Sequence, residues 1–551
     1  MTAIGRERIV EKKARLKKIY IYRAGEVIFL LLLAFYCAGE LSFIPAPWTA
    51  VFAAVPKIPK RWLSFAAEVA VILGLALFEW ARRDKSIGSR SLLTRVFETW
   101  KSASTVWIVG FFVLSGSWWT ASSFLRYAAL KSGFAMVIFT QAIWNTTQGA
   151  WFYSSIKGGI CLLGDHFAPL LFLFALPYRI WPEPGVLLGI QAFAAASCVF
   201  PLARIVRKSG QSASWVILFC LAFILYLPVR NAVRCDFHPE VVAMPLLFWA
   251  FAFLDEKRSI LASIFLALAL MAKENMAIVA FAFGIYACIK KEKNLRFGVF
   301  WMLMSLLYFY AVVHFFIPKL SGSPYAYFDA MFAKWLQTGW RPFEQHIFQP
   351  STFEYIARIY GPLAFTSALA PASFILTLPT LAQNILSNQM KTRSIYQYYT
   401  ATLTPFVFIS SVMALAKFRS YRRYAAYMIF LPSVFMSKAS ENFLMQRQWI
   451  TIAPHASMVG KTLAGIPSTV SLCTDKFYAS HAANRKKLYI YKHEGNSWKT
   501  QHADLVAIDR EFLGHGLNNA LNALKQDGYQ IDFEKDGFYI LKKQKTLVKR
   551  P

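Results

Sequence analysis

The stretch DEKRSILASIFLALALMAKENMAIVAFAFGIYACIKKEKNLR, Asp255 to Arg296, decides the architecture. Two apolar runs, Ile260 to Met271 and Met276 to Ile289, are bracketed by the basic segments DEKRS and KKEKNLR and joined by Ala272-Lys273-Glu274-Asn275. Short basic segments beside apolar runs stay on the cytoplasmic face of a membrane, where Lys and Arg meet anionic lipid. Both ends of the stretch therefore share one side, and the runs form a hairpin with AKEN at its tip. An arm of about a dozen helical residues rises about 18 Å, against a hydrocarbon core of about 30 Å. The tip is predicted to stop below the outer surface, where a charge is costly unless it faces a cavity. That makes Lys273 a candidate ligand for a lipid-linked phosphate. Glu274, about 100° further round a helix, need not pair with it.

The same pattern recurs along the chain. Of its 551 residues, 56% are hydrophobic and 16% charged, and the mean hydropathy is +0.40. A soluble chain of this length needs more polar cover, so the reading is an α-helical polytopic integral membrane protein of about 11–13 spans, some short or re-entrant. The net charge of +31, from 60 Lys and Arg against 29 Asp and Glu, clusters between apolar runs. It reads as topology and gives no support to nucleic-acid binding. The seven Cys show no CxxC and no paired spacing, so neither a disulfide framework nor a zinc site is indicated.

Residues 1–23 form a basic cytoplasmic N-terminus leading into a retained anchor, and 24–103 an N-terminal hairpin spanning Glu26 to Phe43 and Trp62 to Trp80. Residues 104–437 form the main membrane domain. Its expected spans begin with Ser104 to Tyr127 and end with Ala425 to Met436, with a Pro371-centred double pass or re-entrant turn over Gly361 to Leu386. Residues 438–551 change character. STVSLCTD, KLYIYKH and ADLVAID read as strands, GLNNALNALKQDG as an amphipathic helix, and YQIDFEKDGFYILKK as a hairpin with a Lys535-Asp536-Gly537 turn. This is a small α/β domain on the outer face.

Ionisable groups collect at the outer ends of the apolar runs: Asp165 and His166 in CLLGDHFAPLL, Arg234, Asp236, His238 and Glu240 in RCDFHPE, and Lys273 with Glu274. A plain reading makes Asp165 a helix cap and Pro239-Glu240 a helix start. A functional reading makes Asp165 or Asp236 a catalytic carboxylate and His166, Arg234, His238, Lys273 and Glu274 ligands for phosphate or substrate. In an extended segment Asp236 and His238 face the same side. With Asp165 and His166 they would suit a divalent metal ion. Tyr396, Gln397, Tyr398, Trp144 and Trp181 read as an interfacial belt.

FTQAIWNTTQG, LGDHFAPLLFLFALPYRIWPEP, DFHPEVVAMPLLFWAFAFL, MAKENMAIVAFAFGIYACIKKEK and LPTLAQNILSN, in this order, resemble the bacterial membrane-protein family called domain of unknown function 2079. The likeness runs from about Ser104 to about Lys543. By architecture that family is linked to polytopic glycosyltransferases of the GT-C type. The resemblance therefore implies a bacterial inner-membrane enzyme that moves a sugar from a polyprenyl-phosphate donor to an external acceptor. The N-terminus would be cytoplasmic and the C-terminal domain periplasmic. It adds Gln141, in the FTQ of the first motif, to the substrate-binding candidates. It also implies acids in the first external segment, where this chain has Ala135 and Thr140. That departure keeps a second class open: a transporter, or a lipid-binding or assembly factor, that retained the fold without catalysis.

Overall fold

The computed structural model describes residues 104–290, 295–329, 331–332, 344, 346–418, 429, 452–494 and 497–544. The two N-terminal spans, the span expected over 425–436 apart from Ile429, and the domain boundary near Lys438 lie outside the described residues.

Helices dominate as far as residue 417. In chain order they are α1 (Ser104–Ala128), α2 (Phe134–Thr147), α3 (Phe172–Ile180), α4 (Pro184–Ser197), α5 (Val199–Lys208), α6 (Ala213–Leu225) and α7 (Leu227–Arg234). There follow α8 (Pro239–Asp255), α9 (Ser259–Leu270), α10 (Met276–Ile289), α11 (Leu295–Ala311), α12 (Pro350–Tyr360), α13 (Leu378–Leu386) and α14 (Thr404–Lys417). Proline supplies several starts, since its missing N–H and fixed φ suit a first turn; Pro184, Pro239 and Pro350 each open a helix. Pro228 stands just past the break between α6 and α7, which bend 47° from each other.

Among the described residues four helices are long and apolar enough to cross a membrane: Thr105–Ala128, Pro184–Lys208, Leu295–Ser321 and Tyr398–Lys417. The bent α6–α7 pair makes a fifth if it is one span. Their outward faces carry Val106, Leu114, Leu303, Leu306 and Leu307, all exposed, as lipid contact requires. Helices α10 and α11 approach closely where both carry glycine: a Cβ on Gly284 would lie 2.7 Å from the Gly298 carbonyl oxygen. The AKEN hairpin forms as expected, with arms of 12 and 14 residues, about 18 and 21 Å long. Over Gly361 to Leu386, where the sequence predicts a Pro371-centred double pass or a re-entrant turn, no helix is long enough to cross, which argues against the double pass. Ala364 and Phe365 adopt φ of +51° and +54°, and short helical turns lead into α13.

The C-terminal unit holds the strands β1 (Leu472–Thr474), β2 (Leu488–Ile490), β3 (Leu505–Asp509), β4 (Tyr529–Lys535) and β5 (Phe538–Lys543). They form one five-stranded sheet in the order β2-β1-β3-β5-β4. β1 runs parallel to β2 and β3, while β5 is antiparallel to β3 and β4. The amphipathic helix Leu517–Gln526 buries Leu517, Ala520, Leu521 and Leu524. Between β4 and β5, Asp536 and Gly537 have φ of +51° and +84°, the two positive values an Asp-Gly turn favours.

This unit is fastened to the helices. The His481 ring stacks on Tyr127 at 4.1 Å, and its Nε2–H donates to the Tyr127 carbonyl at 2.9 Å. Tyr178 donates to Asn484 Oδ1 at 2.6 Å. Ser155 Oγ donates to the Leu488 carbonyl and accepts from the Leu488 N–H.

Candidate active site

Three loops converge on one cavity of about 490 Å³. The segment after α2 contributes Lys157, Asp165 and His166; the α7–α8 corner contributes Asp236, His238 and Glu240; the hairpin tip contributes Lys273, Glu274 and Asn275. Tyr325, Tyr327, Gln383, Gln389, Lys391, Gln397 and Tyr398 also line it. Of the eight site residues expected from sequence, six reach this cavity, and Gln141 and Arg234 lie off its lining. Gln141 is fully buried, donating to Ser155 Oγ at 2.8 Å and the Arg485 carbonyl at 3.1 Å, so it fastens the C-terminal unit. Arg234 ends α7, and its carbonyl accepts from Arg126 at 3.0 Å.

Each acid in the cavity has a defined partner. Asp165 takes Lys157 Nζ at 2.7 Å and the Tyr327 hydroxyl at 3.0 Å. No side-chain cap bond opens the turn at Pro169 or helix α3, so Asp165 does not serve as their cap. Gly164, just before it, is required for packing, because a Cβ there would sit 2.5 Å from the Ser321 backbone nitrogen. Glu274, 1% exposed, accepts from His166 Nδ1–H at 2.9 Å, the Phe167 N–H at 3.0 Å and the Tyr325 hydroxyl at 3.1 Å. Burial alone would raise its pKa; the His166 charge and hydrogen bond outweigh burial and bring it down from 4.5 to about 2. Glu274 in turn raises the Tyr325 phenol, adding to the effect of burial.

Lys273 turns away from its neighbour to Glu240, with Nζ 2.7 Å from Oε1. Burial would lower the Lys273 pKa, but Glu240, Tyr398 and Glu274 hold it well above its ordinary value. Glu240 keeps its place in the first turn of α8 and gains this ion pair as well.

The Asp236-His238 pair is not extended: Asp236 has φ of +46° and points to Arg126 Nη1 at 2.7 Å and the Gly133 N–H at 2.8 Å. His238 donates from Nδ1 to the Cys235 carbonyl at 2.7 Å and stacks on Tyr398 at 3.5 Å. Burial lowers its pKa, against the raising effect of Glu240 and Asp236. Gln191 ties this corner down, donating to the Val233 and Asp236 carbonyls and accepting from the His238 N–H.

Asp165, His166, Asp236 and His238 thus each face a separate partner. No group of three or more His, Cys, Asp or Glu among the described residues is placed to hold a metal ion. The four residues do not fit the divalent site their types suggested. Ala135 lines the cavity where the family resemblance places an acid, whereas Thr140 is buried away from it. Gln397 and Tyr398, read from sequence as interfacial belt, belong to the wall; Tyr396 is exposed and meets Arg358. Sequence reading missed Lys157, Arg126, Tyr325 and Tyr327. The Gly158-Gly159 pair, both at positive φ, marked the tight turn that carries Lys157, and was the one local signal available.

The pattern of the predicted membrane protein family DUF2079 matches residues 126–540, close to the Ser104 to Lys543 stretch of the likeness and enclosing all five motifs. The chain belongs to that family. No curated protein matches it. Among solved structures it is similar to ArnT from Cupriavidus metallidurans bound to undecaprenyl phosphate, at 10% identity and a TM-score of 0.49, over 79% of this chain and 98% of that one. The apo state of the same protein matches at 10% identity and 0.49, over 80% and 98%. The family and the helices together make this DUF2079 chain a multi-pass membrane protein with a small C-terminal sheet domain.

Proposed function

We propose that this DUF2079 protein is a membrane glycosyltransferase of GT-C-like architecture that takes a sugar from a polyprenyl-phosphate carrier. The observation that carries this reading is the meeting of three separately encoded ionisable loops around one cavity, at the ends of apolar helices. A phosphate on a lipid tail needs both an apolar approach and cations at the end of it. Lys157 and Lys273 are those cations, each now resting on a carboxylate it can share with an arriving phosphate.

In the transfer the acceptor hydroxyl attacks the sugar's anomeric carbon. The bond from that carbon to the phosphate oxygen breaks, and its electron pair leaves on the polyprenyl phosphate. The acceptor proton passes to a carboxylate. Asp165 suits that role better than Asp236. Its partners are two side chains, Lys157 and Tyr327, and Lys157 moving to the phosphate would release one oxygen. Asp236 is held at one oxygen by a backbone N–H and at the other by Arg126, and positions the corner that carries His238. The charge developing on the leaving phosphate is offset by Lys157 and Lys273. His166 is fixed on Glu274 and orients the Asp165 loop.

The test is sugar transfer, or complementation of a deletion phenotype, by purified Asp165→Asn of unchanged melting. Loss of a general base lowers rate by a factor of about 10²–10⁴. Full activity would remove Asp165 from the reaction. Ala135 in the cavity wall favours the second reading, a protein that binds the lipid phosphate without transfer. Under that reading Asp165→Asn leaves the phenotype intact, while Lys273→Ala abolishes it.

A further inference from the structure

The cavity contains hydrogen-bonding capacity that neither the phosphate nor the proton transfer uses. On the side described above, every acid is engaged. The tyrosines are engaged as well: Tyr325 and Tyr327 donate to Glu274 and Asp165, and the Tyr327 ring stacks on His166 at 4.2 Å. Tyr398 packs against His238, with Tyr399 at 4.3 Å. The wall contributed by the hairpin tip and the LPTLAQNILSN region is different. Asn275 donates from Nδ2 to Gln383 Oε1 at 3.1 Å, and its own Oδ1 is buried without a partner among the described residues. Gln383 Nε2 has no partner among the described residues. Turning both amides over changes nothing in kind, because one carbonyl and one NH₂ remain in either arrangement. Gln389 follows with a side-chain amide that has no partner among the described residues. This wall is anchored from behind by Asn384, which donates to the Tyr355 hydroxyl at 2.9 Å and the Tyr399 carbonyl at 3.0 Å.

A fully ionised phosphate accepts hydrogen bonds and does not donate them, so it cannot satisfy a buried carbonyl. A hydroxyl donates and accepts, and a ring bearing several hydroxyls matches a wall that offers carbonyl and NH₂ groups side by side. We propose that Asn275, Gln383 and Gln389 form the subsite that reads the hydroxyls of a glycosyl unit, separate from the cations that hold phosphate. This rests on the transferase reading and assigns its sugar selectivity to the amide wall. The glycosyl unit is either the one on the carrier or one on the acceptor, and binding distinguishes the two.

The probes are undecaprenyl phosphate, the same lipid phosphate carrying a pentose, a hexose, an N-acetylhexosamine or a uronic acid, and a set of free oligosaccharides, each titrated against full-length protein in detergent. For at least one sugar-bearing lipid the wild type should bind more tightly than it binds undecaprenyl phosphate. Asn275→Ala, Gln383→Ala and Gln389→Ala should each weaken that ligand roughly fivefold, one hydroxyl bond's worth, and leave undecaprenyl phosphate unchanged. If the losses fall on a free oligosaccharide, the wall serves the acceptor. Gln389→Ala breaks no side-chain bond among the described residues, so it reports even if Asn275→Ala unfolds. Variants that weaken plain and sugar-bearing lipid alike, or a wild type indifferent to every sugar, overturn the assignment. Failure of undecaprenyl phosphate itself to bind instead refutes the reading on which it rests.

Discussion

Replacing Lys273 with Met removes the ammonium 2.7 Å from Glu240 while keeping a side chain of similar length. The two side chains are 13% and 7% exposed, so the survivor cannot return to water. An exposed pair would be worth about 0–1 kcal/mol, whereas breaking a buried one costs about 3–5 kcal/mol, because a charge stays behind in a poor medium. Glu240 sits in the first turn of α8, whose amide dipoles offset part of that charge, which places the loss near the lower end, about 3 kcal/mol. Reversible unfolding in mixed micelles measures it. Combining Lys273→Met with Glu240→Gln should restore most of the loss, since no lone charge then remains. If Lys273→Met lies within about 0.5 kcal/mol of wild type, as a surface change would, the hairpin tip sits in headgroup water and the recessed-cavity reasoning fails.

Three further outcomes follow from other contacts. Gly164→Ala places a Cβ 2.5 Å from the Ser321 backbone nitrogen and 2.7 Å from the Leu320 carbonyl carbon; backbone has to move, at about 1–3 kcal/mol, measured in the same unfolding assay. The folded pKa of Glu274 lies below its ordinary value, so its contribution is present above pH 4.5 and is lost as the pH falls towards about 2. The stability gap between wild type and Glu274→Gln should therefore narrow across that window, and a gap independent of pH would show that the His166 contact is not ionic. Alkaline phosphatase fused after Lys543 should be active if the C-terminal domain is outside, as the charge pattern predicts; a fusion active only with a cytoplasmic reporter would reverse the orientation.

The apolar helices, the hairpin and the C-terminal strands were legible because each is written locally, in charge bracketing, alternation or an Asp-Gly turn. The positions of Asp165, His166 and Lys273 were legible too, since an ionisable group at the end of an apolar run is costly without a reason. The partners were not. His166 and Glu274 are 108 residues apart and Arg126 and Asp236 are 110, and no local rule sets the packing that joins them. Asp236 departs from the extended-segment reading in the same way: it takes a positive φ, and its carboxylate meets Arg126 and the Gly133 N–H, both distant in sequence. Gln141 entered the candidates through the FTQ of the first motif, yet its side chain bonds to the C-terminal unit.

The most direct measurement is a cryo-EM structure of the full-length protein in nanodiscs with undecaprenyl phosphate. The account places the phosphate in the cavity within hydrogen-bonding distance of Lys157 and Lys273, with one Asp165 oxygen released. Density for the phosphate elsewhere on the protein, with both lysines still on their carboxylates, would contradict it.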